Sequence, residues 1–193
     1  VRGLCCGTPW KSKGLTRGYE VMAASVLPAV RQASDDGVLP VVLDASSCVD
    51  GLREMLAETA LDVPVLDAVE FVAEKVLPHL RVEPSDEPLV VHPTCSGERG
   101  GSTAALLQIA ESISRDVIIP TGWGCCAFAG DRGLLHPELT ASATRREAAR
   151  VRQSTATAYA SHNRTCEIGM TKATGRPYQH VLQLLARALA PAG

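Results

Sequence analysis

"DVIIPTGWGCC", residues 116–126, passes from three β-branched apolar residues through a proline and two glycines into two adjacent cysteines. A short apolar run bounded by turn formers reads as a buried strand, here ending at Cys125 and Cys126. "PLVVHPTCS" (88–96) has the same form and carries Cys95 at its tip. Between them, "GSTAALLQIAESIS" (101–114) has helical periodicity, with Ser102 or Thr103 placed to cap its first turn. Strand, helix and strand in this order make a βαβ unit of a parallel sheet, with a right-handed crossover. Ligands of such sheets gather at the carboxyl ends of the strands, and this pattern puts all three cysteines there.

The Cys pair recurs near the start of the chain, in "LCCGTPWKSKG" (4–14). After Cys5-Cys6, 41 residues precede Cys48; after Cys125-Cys126, 39 precede Cys166. Both single cysteines open a Cys-x-x-Gly, Cys48…Gly51 and Cys166…Gly169, and each pair leads to a basic residue and a glycine, Lys13-Gly14 and Arg132-Gly133. Residues 19–33 and 137–159 both read as helices. Pro28 is expected to kink or divide the first; Pro137 and Glu138 suit the opening turn of the second. "LPVVLDASSC" (39–48) reads as a buried parallel strand delivering Cys48, and "YASHNRTC" (159–166) is a weaker strand candidate at the matching place. Helical stretches at 52–60, 66–80 and 176–190 complete the halves, joined through "RVEPSDEP" (81–88). The expected architecture is α/β: two pseudo-repeated halves, 1–84 and 85–193, with parallel-type strands flanked by helices and cysteines at strand C-terminal ends. The strand–helix unit opening the second half has no counterpart after Val1, so the sequence reads as part of a longer protein, its first half truncated.

Hydrophobic residues make up 46% of the 193 but aromatics only 4%, so Val, Leu, Ile and Ala must fill the core. With 19 basic against 21 acidic residues the net charge is −2, which argues against non-specific nucleic-acid binding. No apolar run approaches the ~20 residues that span a bilayer. Seven cysteines, an odd number in a chain rich in core residues, read as reduced thiols of a cytoplasmic protein rather than a disulfide framework. There is no Gly-x-Gly-x-x-Gly, so NAD or FAD binding within these residues is not expected.

Four thiolates converging at one place, Cys95, Cys125, Cys126 and Cys166, suit an iron–sulfur cluster. Gly122, Gly124 and Gly130 would let the backbone come close to it. Two other readings compete. Structural zinc takes four cysteines, but its usual paired Cys-x-x-Cys knuckles are missing. Cysteines also pack inertly as small hydrophobes, a reading that leaves the duplication unexplained. The gaps of 29 and 39 residues make convergence a property of the whole fold. Cys5, Cys6 and Cys48 form a second set of three, without a fourth cysteine in this sequence.

"CCGTPWKSKG…DASSC", with "HPTCS…WGCCAFAGDRGLLHPELTASA…NRTCEIGM", closely resembles the cysteine-rich CCG domain. It is most similar to the C-terminal module of FAD-linked, D-lactate-dehydrogenase-type oxidases. The family also occurs in subunits of glycolate oxidase, anaerobic glycerol-3-phosphate dehydrogenase and heterodisulfide reductase. The resemblance runs from Leu4 to about Leu185. It implies an electron-transfer module in a protein whose flavin domain, N-terminal to this segment, oxidises a 2-hydroxy acid, D-lactate or glycolate in type. Ferredoxin-like 4Fe–4S motifs would lie between, and electrons would leave to a quinone or another membrane acceptor at the inner face of the membrane. Carried over by position, Cys95, Cys125, Cys126 and Cys166 are one ligand group, and Cys5, Cys6 and Cys48 are the remnant of another. Ala127 stands where the family has glycine, a change that costs little unless the position needs positive φ. Both endings are Cys-x-x-Gly rather than Cys-x-x-Cys, which counts against a cluster needing five cysteines and leaves a four-ligand one. A zinc-binding or metal-free docking domain is the alternative reading.

Among the remaining polar residues, His162 reads as a loop histidine in water, His92 as a hydrogen-bonding group near the site, and His136 as a loop residue. Asp131 and Arg132 suggest a loop-stabilising contact. Arg132 and Arg164 are candidates for raising a cluster's potential. Lys11 and Lys13 either do the same in the first half or are merely solvated. Ser46, Ser47 and Ser96, beside cysteines, suit helix capping or donation to sulfur. No nucleophile–base set stands out, so no catalytic residue is expected.

Overall fold

The structure, a computed structural model, describes residues 4–189, and the chain divides into two units, Val1–Ala68 and Val69–Gly193. In the first, the Cys pair leads into a single turn, α1 (Thr8–Lys11), then α2 (Thr16–Ala33), β1 (Val41–Leu43), α3 (Ser46–Ala57) and β2 (Val65–Asp67). β1 and β2 are parallel, with Val41 opposite Val65 and Leu43 opposite Asp67. Val26 and Val30 of α2 meet Val49, Leu52, Met55 and Leu56 of α3 over Val63 and Val65. Two expectations need correcting. Pro28 does not divide α2, which runs unbroken through it; Pro28 and Ala24, whose carbonyl it frees, both lie on the exposed face, where water takes the lost bond. Residues 65–67 are strand rather than helix, because Pro64 holds Val63 extended and Val65 is β-branched.

Val69 opens the second unit within α4 (Ala68–Phe71), which continues as a π-helical turn (Val72–Val76) and a 3-10 turn (Leu77–His79). Residues 81–88, read as a joint, are stitched to this unit, with Val82 bridged to Leu189 and Ser85 to Ser114. There follow β3 (Leu89–Val91), α5 (Cys95–Gly100), α6 (Thr103–Ile113), β4 (Val117–Ile118), α7 (Arg132–Leu135) and α8 (Pro137–Gln153). The unit ends with β5 (Ala158–Ser161), α9 (Arg164–Thr174), β6 (Gln179–His180) and α10 (Val181–Ala188). Of the helix expected over 176–190, Ala190 lies outside the described residues. The sheet is parallel throughout, in the order β4-β3-β5-β6. The weak candidate at 159–166 therefore does hold a central strand. The run at 116–126 holds only two ladder residues, because Pro120 has no N–H to donate and Gly122 turns the chain at φ 83°; a loop, not a strand, reaches Cys125.

Alternation along the strands sorts the core into two faces. Leu89, Val91 and Ala160 pack against Leu106, Ile109 and Ala110 of α6 and Val181 and Leu185 of α10. Val90 and Tyr159 point the other way, into Phe128, Val151 of α8, Met170 of α9 and Tyr178. Each such aliphatic side chain contributes about 1.5–3 kcal/mol when fully buried. The second face is the one that contains Cys126 and Cys166.

The sequence repeat reappears in backbone and packing. The residue after each Cys pair is left-handed, Gly7 at φ 79° and Ala127 at φ 54°. The position does need positive φ, so the alanine carries strain that glycine would not, on the order of 1 kcal/mol. One residue further on, Thr8 and Phe128 press on the glycine of the Cys-x-x-Gly. A Cβ on Gly51 would stand 2.0 Å from Thr8 Oγ1 and 3.4 Å from Cys6 Sγ; one on Gly169 would stand 3.2 Å from the Phe128 ring. Thr8 is held in turn by its hydrogen bond with Cys6 Sγ at 3.3 Å. Gly51→Ala should therefore destabilise the first unit by about 1–3 kcal/mol through overpacking. In Gly169→Ala the gain in helix propensity offsets the tighter fit, leaving a change within about 1 kcal/mol. Hydrogen exchange, read separately over the two units, checks both.

Candidate metal centre

The cysteines sit just past the strand ends, in turns and first helical turns. Cys95 is the first residue of α5, and Cys48 and Cys166 are each the third residue of α3 and α9. Thr94 fixes the start of α5, its Oγ1 accepting the Gly97 N–H at 2.9 Å. A helix N-terminus favours the thiolate form of a cysteine placed there.

In the second unit the paired cysteines part company. Cys125 is exposed, its Sγ accepting the Ala127 N–H at 3.4 Å, while Cys126 is buried with its Sγ 3.2 Å from that of Cys166. The hydrogen bond with Cys166 lowers the Cys126 pKa to about 5; burial opposes this, and His92 and the backbone at Phe128 add to it. Cys166 is pushed well up by the same contact and by burial. Cys95 is raised by burial first, then by the charge of Cys125. The charges of Cys95 and Cys125 add to the rise at Cys166, but among the described residues the sulfurs that share a group of donor atoms within 4.8 Å of one another are those of Cys126 and Cys166 alone. The first unit repeats the arrangement with three. Cys6 is lowered to about 5 by its hydrogen bond with Cys48, burial again opposing, while Cys48 is raised by that same contact and Cys5 by burial.

The sequence reading did not foresee how closely His92 is involved. Its nitrogen donor, Cys126 Sγ and Cys166 Sγ lie within 4.8 Å of one another, all three residues buried. Nδ1–H donates to Glu147 Oε1 at 2.7 Å, and both side chains are essentially sealed from water. Nε2 is buried with no hydrogen-bond partner. Burial works against charge on this ring, but the contacts with Cys126 and Glu147 outweigh it and raise its pKa to about 9. Signals for both residues exist in the sequence. Alternation from Val90 puts His92 on the face of the cysteines, and Glu147 interrupts an otherwise uncharged buried stripe of α8, Thr140, Thr144, Ala148 and Val151. Soft thiolates, an imidazole and an orphaned buried nitrogen fit a thiophilic metal or an iron–sulfur group.

His162 corrects the expectation of a water-exposed loop residue: it is fully buried. β5 carries it in beneath α5, where its Nε2 lies 3.1 Å from Ser102 Oγ and 3.4 Å from Thr94 Oγ1. Asn163 Nδ2 donates to Ser96 Oγ at 3.3 Å. This network ties the turn bearing Cys95 to the turn before Cys166. Arg164 pairs with buried Glu167 at 2.9 Å, and Lys11 pairs with Glu54 of α3 at 3.1 Å and with Glu58, just past its end, at 3.4 Å. His136 is exposed, beside Glu138.

A parallel sheet with cysteines clustered beyond its strand ends defines a class, and residues 89–171 match the family model of the CCG cysteine-rich domain. Over 200 aligned residues the chain is 26% identical to a subunit of anaerobic glycerol-3-phosphate dehydrogenase from Escherichia coli (strain K12), an alignment covering 96% of this chain and 50% of that one. The corresponding protein from Escherichia coli O157:H7 gives the same values. The chain thus spans about half the length of the curated relatives it matches.

Burial, with His180 and His92 adding like charge, lowers the His162 pKa to about 3. The unfolded chain takes up this proton near pH 6.5 and the folded one does not, so stability is whole above that value and falls as pH drops toward 3. From pH 7 to pH 5 this residue should cost about 2 kcal/mol. Denaturant unfolding of wild type and His162→Gln at both pH values should show wild type losing about 2 kcal/mol more than the variant.

Proposed function

We propose that this chain is an iron–sulfur electron-transfer domain of a flavin-linked dehydrogenase, with one cluster held by Cys95, Cys125, Cys126 and Cys166. The observation that carries this reading is the buried sulfur pair of Cys126 and Cys166, 3.2 Å apart, with Cys95 and Cys125 near enough for their charges to act on Cys166. A buried pair of sulfurs with one thiol lowered to about 5 is already biased toward the thiolate that metal ligation requires. The bound group supplies reversible one-electron chemistry. The chain's own residues would position it: the left-handed turn at Ala127 follows a pair in which Cys126 is buried against Cys166 and Cys125 exposed, and the Thr94, His162 and Asn163 network ties the turn bearing Cys95 to the turn before Cys166.

The similarity to part of a dehydrogenase supports a place between a flavin-bearing partner and a terminal acceptor such as a quinone. The resemblance to FAD-linked oxidases favours a 2-hydroxy acid, D-lactate or glycolate in type, as substrate of the whole protein, with FAD outside this segment. Cys5, Cys6 and Cys48 form an incomplete counterpart site. No helix among the described residues is long and apolar enough to cross a membrane.

Iron, sulfide and zinc analysis of protein purified without oxygen tests the reading. About four irons and four sulfides per chain are expected, falling sharply in Cys126→Ser. One zinc, or no metal in protein kept anaerobic throughout, would replace it with a structural or docking role.

A further inference from the structure

The geometry points to His92 as a metal ligand through Nε2, sharing a buried nitrogen–sulfur corner of the centre with Cys126 and Cys166. This deepens the iron–sulfur reading and rests on it. Three observations carry it. The three donor atoms lie within 4.8 Å of one another, and all three residues are buried. Two thiolates on one and the same metal ion, with bonds of about 2.3 Å at tetrahedral angles, lie about 3.8 Å apart, so for Cys126 and Cys166 to share one iron of the centre the 3.2 Å between them needs to open by only about half an ångström. The imidazole is already arranged as ligating histidines are, with Nδ1–H donated to a carboxylate and the other nitrogen left over.

A purely structural role accounts for less. Sinking a histidine and a glutamate into a core costs more than an apolar pair of the same volume, and the dyad still leaves Nε2 without a bond. Coordination gives that nitrogen a partner and gives Glu147 a task, fixing the tautomer and the plane of the ring. The carboxylate reaches in from α8 and the histidine from the end of β3, so a helix and a strand set the ring between them. Cys95 and Cys125, outside this corner, then face the more open side of the centre, where Cys125 is exposed.

The test is pulsed electron paramagnetic resonance on the reduced, iron-loaded chain, produced with ordinary and with isotopically labelled histidine. A strongly coupled nitrogen that changes with the label, and vanishes in His92→Cys with iron retained, is the expected result. In that variant a thiolate replaces imidazole, so the reduction potential should fall. Glu147→Gln should keep the nitrogen signal but lose metal to a competing chelator about 10–100-fold more readily. Iron present with only weakly coupled nitrogen, unaffected by the histidine label, would overturn this inference and leave the four-cysteine reading standing. A chain that binds no iron would overturn both, and measuring the labelled wild type first separates these results from any misfolding of a variant.

Discussion

The parallel pairing of β3 with β5 is the constraint on which the rest of the second unit depends. It sets Val91 against Ala160, and it is extended past the ladder by the His92 N–H donating to Ala160 O at 2.9 Å and by Ser161 Oγ donating to His92 O at the same distance. Because the strands run the same way in register, the turns that follow them finish side by side. Cys95 and Cys166, which are far apart in the chain, therefore start neighbouring helices. The alternation of the same strands gives one face to α6 and α10 and the other to α8 and α9, and His92 falls on the second. Slipping this register by one residue would turn His92 toward the opposite face and separate it from Cys126.

Within that frame the Cys-Cys pair divides its labour through a single backbone angle. A left-handed residue directly follows the pair; in the second unit one thiol enters the core and its neighbour stays at the surface, while in the first both are half-buried. Both units use this bend, with glycine in one and alanine in the other, and both close it against the glycine of a Cys-x-x-Gly. The identity of the residue pressed on that glycine differs, a threonine bonded to sulfur in the first unit and a phenylalanine in the second. The duplication is thus preserved in geometry more faithfully than in side chains.

Much of this was legible in the sequence because it is periodic or repeated. The βαβ unit within 88–126, the Pro137 start of α8 and the parallel strands flanked by helices follow from spacing and local chemistry. What escaped depends on partners distant in sequence. Val65–Asp67 is too short a run to declare itself as a strand until β1 is beside it. Cys125 and Cys126 look like the end of a strand, yet Pro120 and Gly122 release the chain earlier. His162 looks polar and therefore wet, but the hydroxyls that receive it, Ser102 and Thr94, belong to a turn some sixty residues upstream. Glu147 looks like one more charge on an arginine-rich helix, and only the fold reveals that His92 faces it.

Cys95, Cys125, Cys126 and Cys166 span seventy-two positions of the chain, counted from residue 95 to residue 166. On a growing polypeptide the first three emerge well before the fourth, and β5 cannot take its place beside β3 until it too has been made. Long-range parallel pairing of this kind is a slow, late step in folding. The meeting of Cys126 with Cys166 is consequently a product of completed folding rather than a nucleus for it. Until synthesis and strand pairing finish, these thiols stand apart and open to oxidants, so the order of events during biogenesis, as much as the final geometry, decides whether they meet as thiols.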